Sequence, residues 1–280
     1  MLNYKTTALQ KYLRPARWAV KSLALSSLFA ALSVQVNAEV LSAEYIAQRV
    51  DAADSGWQDE EVKARMTLYA ADGRSVSREI RSRSLEVSDD GDRSLVVFDQ
   101  PLDVKGTVFL THTHDVGNDD QWLFLPALKR TKRIASSNRS GPFMGSEFAY
   151  EDISSEEVSR YTYDDLRSAA CGEPFAAERQ CHIYNRYPVD KSSGYTRQQV
   201  YVDQEHYRLL KVDYYDRKNS HQKTLTRNDY QKFGNYWRAN QWVMQNHLNQ
   251  KKTVVEWSDW KFSSGFQLRD FERSALSRYR

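Results

Sequence analysis

The stretch DDQWLFLPALKRTKRIASSNRSGPFMGSEFAYED, residues 119–152, is the most informative part of this chain of 280 residues. It begins with a short apolar run at residues 121–125, which predicts a strand. A run of basic residues follows directly at residues 129–133. Behind it, a loop rich in Gly, Ser and Pro carries Phe143 and Met144. Large apolar side chains on such a loop either fold back onto a core or contact a ligand or partner.

The same stretch carries a family resemblance. The matching positions are Asp120, Trp122, Leu123, Phe124, Leu125, Pro126, Ala127, Leu128, Arg133, Ile134, Ser136, Ser137, Asn138, Gly141, Pro142, Phe143, Met144, Gly145, Ser146, Phe148, Tyr150, Glu151 and Asp152. In these positions the chain resembles the periplasmic outer-membrane lipoprotein-sorting-like (LolA-like) proteins, which are often encoded beside transporters of the resistance-nodulation-division type. A looser similarity covers roughly residues 40–276. The resemblance implies a mainly β fold, in which a strongly curved antiparallel sheet with a few short helices forms an open half-barrel that holds acyl chains.

Residues 1–38 are predicted to be a signal peptide that is cleaved after Ala38. Five basic and no acidic residues accompany a mostly apolar run at residues 22–36, and the sequence before Glu39 fits the small-x-small cleavage pattern. The apolar run is shorter than the ~20 residues that span a bilayer, which disfavours a permanent anchor. We therefore expect a periplasmic protein in which residues 39–280 form a single LolA-like half-barrel domain.

Removal of the signal peptide changes the charge of the chain. The full sequence has 40 basic and 37 acidic residues; without the five basic residues of the leader the numbers are 35 and 37, a formal charge of −2 instead of +3. A near-neutral domain has little overall attraction for nucleic acid, so we expect no nucleic-acid partner. Electrostatic docking would have to come from local patches.

The two cysteines, Cys171 and Cys181, predict one disulfide. They lie ten positions apart, and the Gly and Pro between them make the loop easy to close. In an oxidising periplasm such a pair is typically bonded. The alternative of a metal site is disfavoured, because only His182 is adjacent as a further ligand.

Alternating apolar and polar residues predict nine to eleven antiparallel strands with two or three short helices. Residues 43–50 have the apolar spacing of a helix behind a capping Ser42, and from residue 61 the period changes to two. A further short helix is predicted around residues 156–165. Strands of the second half are predicted at residues 179–187, 195–203, 207–216, 223–233, 236–246 and 253–262. The pattern has no glycine-rich phosphate fingerprint, which disfavours a nucleotide-binding sheet.

Aromatic residues on the predicted strands leave two interpretations open. The tryptophans at positions 122, 237, 242, 257 and 260 either fill a β core or line an uncovered concave face. Such a face suits an acyl chain, because each buried methylene contributes ~0.8 kcal/mol. The predicted ligand-binding residues are Trp122, Phe124, Leu125, Phe143, Met144 and Phe148.

The basic run has three interpretations: a solvated loop, a docking patch for acidic head groups or an acidic partner, and a nucleic-acid contact, of which the last is disfavoured. Its position beside the apolar strand favours docking, because a carrier of anionic lipid would place cations near the mouth of its groove. The predicted docking residues are Lys129, Arg130, Lys132 and Arg133. The loop at residues 140–150 is either a lid, a partner-contact segment or a special turn packed on its own sheet.

His112 and His114 raise the possibility of a metal site, because residues two apart on a strand face the same side. No third fixed ligand accompanies them, and no nucleophile elbow occurs in the chain, so a polar strand end is favoured over a hydrolase. We accordingly predict no catalytic residue, no metal and no cofactor.

Together with the resemblance, the sequence predicts a non-enzymatic periplasmic carrier or accessory protein. It would bind a lipid or lipidated cargo and exchange it with an inner-membrane transporter of the resistance-nodulation-division type, a partner that the resemblance alone implies. Two alternatives stay open. One is an adaptor whose groove holds a transporter segment, and the other is a metal-dependent hydrolase that uses His112 and His114.

Overall fold

The computed structural model describes residues 41–88 and 90–279, so the predicted signal peptide and its cleavage site lie outside the described residues. Within these residues the chain forms one α-helix and thirteen strands. The helix is α1 (Ala43–Ala53). The strands are β1 (Asp59–Tyr69), β2 (Ser75–Leu85), β3 (Arg93–Gln100), β4 (Val108–His112), β5 (Asp120–Leu125), β6 (Arg130–Ile134), β7 (Tyr161–Ala170), β8 (Gln180–Pro188), β9 (Tyr195–Asp203), β10 (Leu209–Asp216), β11 (His221–Phe233), β12 (Tyr236–Asn246) and β13 (Lys252–Phe262).

Helix α1 begins as its sequence predicts. The Ser42 side chain accepts a hydrogen bond from the backbone N–H of Tyr45 at 3.0 Å, which satisfies one of the free donors of the first turn. Ile46 and Ala47 are buried against the sheet. No helix in the described part of the chain combines the length and the apolarity that a membrane crossing requires.

All thirteen strands form one antiparallel sheet with two meanders. The first runs from β1 outward to β6 and the second from β13 outward to β7, and the β1–β13 pair joins them in the centre. The strands β6 and β7 each pair on one side only and form the two edges, so the sheet is open.

The sheet curves strongly, because residues from both of its halves belong to one buried core. A flat sheet of thirteen strands would be almost 60 Å wide at ~4.8 Å per strand, too wide for its two halves to contact one cluster. Yet Phe109 of β4 and Val200 of β9 belong to the same buried core on one face, together with Ile46 of α1. Bulges assist the bending: the register shifts beside Asp165 and Asp259, and both residues have a left-handed backbone conformation.

The connection between the two edge strands crosses the concave face. Residues 135–160 lead from β6 to β7, and on the way Phe143 and Phe148 enter the core with 1% exposure each. Both halves of the sheet hold this crossing segment. Arg78 of β2 donates a hydrogen bond to the Met144 carbonyl at 2.6 Å, and Asn246 of β12 donates one to the Glu147 carboxylate at 2.6 Å.

A second, smaller core lies on the convex face. Leu95, Leu110 and Phe124 of β3, β4 and β5 are covered there by Phe271 and Leu276 from the C-terminal 3-10 turns. A third cluster surrounds the Cys171–Cys181 disulfide between the ends of β7 and β8, which confirms the predicted pairing.

The six strands predicted for the second half are confirmed to within two residues at each end, and helix α1 is confirmed as well. The helix predicted around residues 156–165 is wrong: a single 3-10 turn, Val158–Arg160, leads directly into β7. The expected strand number is too low, because the basic run forms the edge strand β6 and the irregular middle contributes β7. The expected class is confirmed: a mainly β fold with a curved, open antiparallel sheet and few helices.

Candidate functional site

The concave face encloses a cavity of about 900 Å³. The sheet forms its floor, and the C-terminal half of α1 and the crossing segment around residues 152–158 lie over it. Its aliphatic lining comes from both halves of the sheet and from α1, and includes Ala47, Val50, Val62, Met66, Ile80, Val96, Leu209 and Val255. This volume lies in the range of sites that bury a whole small molecule, 300 to 1,000 Å³.

One wall of the cavity is built of tryptophans. Trp242 and Trp257 meet edge to face with ring centroids 5.2 Å apart, and Trp260 lies 5.9 Å beyond Trp257. Trp237 continues the wall and stacks on His206 at 4.8 Å. Trp242 lies opposite Val255, and Trp257 is two positions from Val255, so these side chains share one face. Trp260 follows the bulge at the left-handed Asp259, which returns its ring to the same face. The sequence expectation of an aromatic concave face holds for the four tryptophans of β12 and β13.

The cationic groups of the cavity wall are paired with carboxylates. Arg238 lies 3.0 Å from Glu60, and Arg208 lies 2.6 Å from Asp203. Arg186 and Arg227 share Glu156. Burial alone would raise the pKa of Glu156, but the two guanidinium groups outweigh it and hold that pKa at about 2. Three of these arginines are hydrogen-bonded to their carboxylates, whereas Arg227 lies 3.7 Å from Glu156 and its buried Nε has no hydrogen-bond partner in the described residues.

Five carboxylates of the lining have no cationic partner in the described residues, and two of these, Glu86 and Asp115, accept hydrogen bonds of 2.6 Å from the Gly56 backbone and from Ser159. The other three are Asp51 of α1, Asp92 at the start of β3 and Glu157 of the crossing segment. Burial raises the pKa of Glu157 to about 7, and the neighbouring Asp92 and Asp51 add to the shift. Burial likewise raises the pKa of Asp92 to about 6. We call Asp51, Asp92 and Glu157 the carboxylate cluster.

The carboxylate cluster lies where the cavity meets solvent. Asp51 itself is exposed, and so are the other lining residues Asp54, Ser88 and Asp115 beside it. The cavity is thus amphipathic, with aliphatic and aromatic walls inside and acidic groups near its opening.

The structure separates the six predicted ligand-binding residues. Phe143 and Phe148 line the cavity. Leu125 and Met144 pack against the same concave core without lining the cavity. Trp122 and Phe124 point to the convex face, where they pack against the C-terminal turns. Alternation along β5 explains this division, because its even-numbered side chains face away from the concave side. A binding role for these residues stays a prediction.

The loop at residues 140–150 is packed on its own sheet. Phe143 contacts Phe109 with ring centroids 5.1 Å apart and Tyr150 edge to face at 5.6 Å. Glu151 next to it accepts hydrogen bonds from the Gly194 backbone at 2.9 Å and from Ser193 at 2.8 Å. A Cβ atom at Gly194 would come within 2.9 Å of that carboxylate, so the close approach requires glycine. Of the interpretations left open, the special turn fits this packing.

The predicted docking residues lie on an exposed edge. Arg130, Lys132 and Arg133 belong to β6, and Lys129 precedes it in a left-handed conformation; all four are exposed. Their register beside β5 places Arg130 and Lys132 on the concave side, and Arg133 on the convex side, where it pairs with Asp120. The edge of β6 also exposes backbone hydrogen-bonding groups that no strand covers.

His112 and His114 are both engaged within the protein. His112 Nε2 lies 2.7 Å from the Phe271 carbonyl, and burial lowers the pKa of this imidazole. His114 Nδ1 lies 2.8 Å from Asp90. No three His, Cys, Asp or Glu side chains of residues 41–88 and 90–279 are grouped so that they could hold a metal ion.

Sequence reasoning missed the carboxylate cluster. Its members come from positions 51, 92 and 157, on a helix, a strand entry and a crossing segment, and no local spacing connects them. The sequence signal for the cavity was the set of tryptophans on the strands predicted at residues 236–246 and 253–262, and it does not point to these carboxylates.

Comparisons with known proteins agree with this architecture. A family model described as an uncharacterized protein matches residues 90–278. A structure of a domain from Vibrio parahaemolyticus named for outer membrane lipoprotein sorting is 47% identical, with a TM-score of 0.81, over 84% of this chain and 98% of that chain. A DUF1329 family protein from Desulfovibrio piger is 30% identical, with a TM-score of 0.76, over 84% of this chain and 97% of that one. None of the curated proteins compared with the chain matches it.

The fold extends to a more distant structure. The LolA superfamily protein NE2245 from Nitrosomonas europaea is 19% identical, with a TM-score of 0.65, over 84% of this chain and 99% of that chain. At this identity the similarity concerns the fold alone, and it agrees with the curved open sheet described above. The identity and coverage of the Vibrio and Desulfovibrio structures show more: this chain belongs to the family of the outer membrane lipoprotein-sorting protein domain and the DUF1329 protein.

Proposed function

We propose that this protein is a periplasmic carrier that binds the acyl chains of a lipid or lipidated molecule in its concave cavity. The cargo would be exchanged with a membrane transporter, for which the resistance-nodulation-division type is our candidate from the sequence resemblance. The mechanism is binding and transfer, without covalent chemistry. Residues 39–280 would act as one domain, exported by the signal peptide that the sequence predicts.

The observation that carries this proposal is the cavity of about 900 Å³ with its tryptophan and aliphatic walls. A closed β protein of this size would fill such a space with side chains, since protein interiors are close-packed. Burial of ten methylenes there would contribute on the order of 8 kcal/mol before the costs of ordering the chain. The name of the Vibrio relative, an outer membrane lipoprotein-sorting domain, supports a lipidated cargo.

The edge strand β6 supports a docking role for the basic run. Its exposed cations and uncovered backbone groups suit an acidic partner segment that adds as a further strand. A protein-partner adaptor is the second candidate function, and this edge is the observation that favours it.

Native mass spectrometry tests the carrier proposal. The protein is purified without detergent from cells that express the full chain, and bound material is extracted with organic solvent and identified. We expect a discrete added mass that extracts as lipid. A protein that carries no lipid, and takes up none from vesicles of its own cell's lipids, would refute the carrier proposal and leave the adaptor.

A further inference from the structure

The charges of the cavity wall are not balanced. Each arginine of the lining is paired with a carboxylate: Arg186 and Arg227 with Glu156, Arg208 with Asp203, and Arg238 with Glu60. Asp51, Asp92 and Glu157 line the same cavity and form no ion pair with a cation of the described residues. An anionic head group would meet arginines that already lie beside carboxylates, among them Arg227, whose buried Nε has no hydrogen-bond partner in the described residues. A cationic head group would meet carboxylates that form no ion pair with the described residues.

We propose that the cavity takes an amphiphile with a positively charged head, an amine or quaternary ammonium group on an apolar tail. The head lies at the carboxylate cluster near the opening, and the tail lies along the tryptophan wall. This inference rests on the proposed carrier function and adds the chemical class of the ligand. It differs from the anionic-lipid interpretation of the basic run, because that run lies on the outer edge and does not line the cavity.

Two features of the site besides the charges fit such a ligand. Within the described residues, the Asp92 carboxylate accepts only a hydrogen bond of 3.3 Å from Ser155 and one of 3.4 Å from the Val87 backbone, so it retains acceptor capacity. The tryptophan wall suits the apolar tail and not the head, because arginines already lie over the rings of Trp237, Trp242 and Trp260, at 4.5, 4.4 and 5.7 Å from their centroids.

Titration calorimetry with three probes of equal tail length tests the proposal. The probes are decyltrimethylammonium, decyl sulfate and decyl maltoside, each below its critical micelle concentration, at pH 8. We expect decyltrimethylammonium to bind at least tenfold more tightly than decyl sulfate, with decyl maltoside between them. Equal binding of the three probes, or preference for the sulfate, would overturn the ligand class while leaving the carrier proposal standing. Binding of none of them would count against the carrier proposal itself.

A pair of variants with the same change in net charge locates the effect. Asp92→Asn/Glu157→Gln removes two carboxylates of the cluster and should lower the preference for the ammonium probe about tenfold, with unchanged affinity for decyl maltoside. Glu256→Gln/Asp259→Asn removes two exposed carboxylates of β13 that do not line the cavity, and should leave the preference as it is. If both variants lower the preference equally, the overall charge of the protein explains it and the proposed head-group site is wrong.

Discussion

Lys223 of β11 and Asp152 of the crossing segment form an ion pair of 2.7 Å whose two side chains are only 5% and 4% exposed. The Lys223 ammonium also donates a hydrogen bond to the Glu147 carbonyl at 3.0 Å, and Tyr195 donates one to Asp152 at 2.9 Å. The pair therefore fastens the segment that covers the concave face to the strands beneath it. Because each charge is buried, neither can be removed without leaving the other unpaired.

Lys223→Met should lower the free energy of unfolding by about 3–5 kcal/mol, since it leaves the buried Asp152 carboxylate without its cation. Chemical denaturation at pH 7 measures the loss. The control is Lys63→Met, which breaks an ion pair of 3.0 Å whose side chains are 60% and 58% exposed, and should cost no more than about 1 kcal/mol. Equal losses in the two variants would show that burial of the Lys223 pair has no energetic consequence.

The carboxylate cluster should make the protein less stable as the pH rises. Burial and neighbouring carboxylates raise the pKa of Glu157 to about 7 and that of Asp92 to about 6, both above their unfolded values near 4. The folded state then binds more protons than the unfolded state, so the stability present at pH 4 is lost as the pH rises through about 7. The charged groups around the cluster are Asp54, Glu86, Asp115 and Arg160, of which only Arg160 opposes the shift of Glu157.

Glu157→Gln should accordingly stabilise the protein at pH 8 by roughly 1 kcal/mol, a value reduced for the partial exposure of this side chain. The gain should vanish at pH 4, where Glu157 is protonated in the wild type. Thermal unfolding of both proteins between pH 4 and pH 8 checks this. A gain that is the same at every pH would mean that the substitution acts through packing and not through the charge.

Filling the cavity should abolish ligand binding without unfolding the sheet. Ser82 lies on the floor between Val62 and Val96 of the neighbouring strands, and Ser82→Phe places a ring in the space where the tail would lie. We expect at least a fivefold decrease in bound lipid per protein, measured by extraction and mass spectrometry. Ser75→Phe, at the exposed start of the same strand, is the matched control and should retain the lipid. Retention by both variants would exclude this floor from the binding site.

Reversing charges on the edge strand should weaken docking but not folding. Arg130→Glu/Lys132→Glu changes two exposed side chains of β6, so the free energy of unfolding should stay within about 0.5 kcal/mol of wild type. Binding to membranes of the producing cell should fall at least fivefold, and salt should weaken the wild-type interaction. Lys105→Glu/Lys218→Glu, two exposed loop lysines, is the control with the same change in charge. If binding is unchanged and the variant associates with itself, the cations instead serve to keep β6 from pairing with the edge of another molecule.

Local sequence patterns predicted most of the secondary structure. Alternation in β9 and β12 predicted both strands to the residue, and the cap at Ser42 predicted the start of α1. The mistaken helix before β7 shows the limit of such patterns: the polar residues around Asp165 resemble a helical surface, and only pairing with β8 makes them a strand. The resemblance carried by residues 119–152 indicated the family and its curved open sheet.

The sequence by itself thus determined which segments are strands, because alternation and turn chemistry are local properties of neighbouring residues. It also determined that Cys171 and Cys181 would pair, because they are the only two cysteines. Tertiary structure decided which face each aromatic residue occupies, and therefore placed Trp242 and Trp257 in the cavity and Trp122 outside it. It alone brought Asp51, Asp92 and Glu157 together, because curvature of the sheet joins positions that lie far apart along the chain.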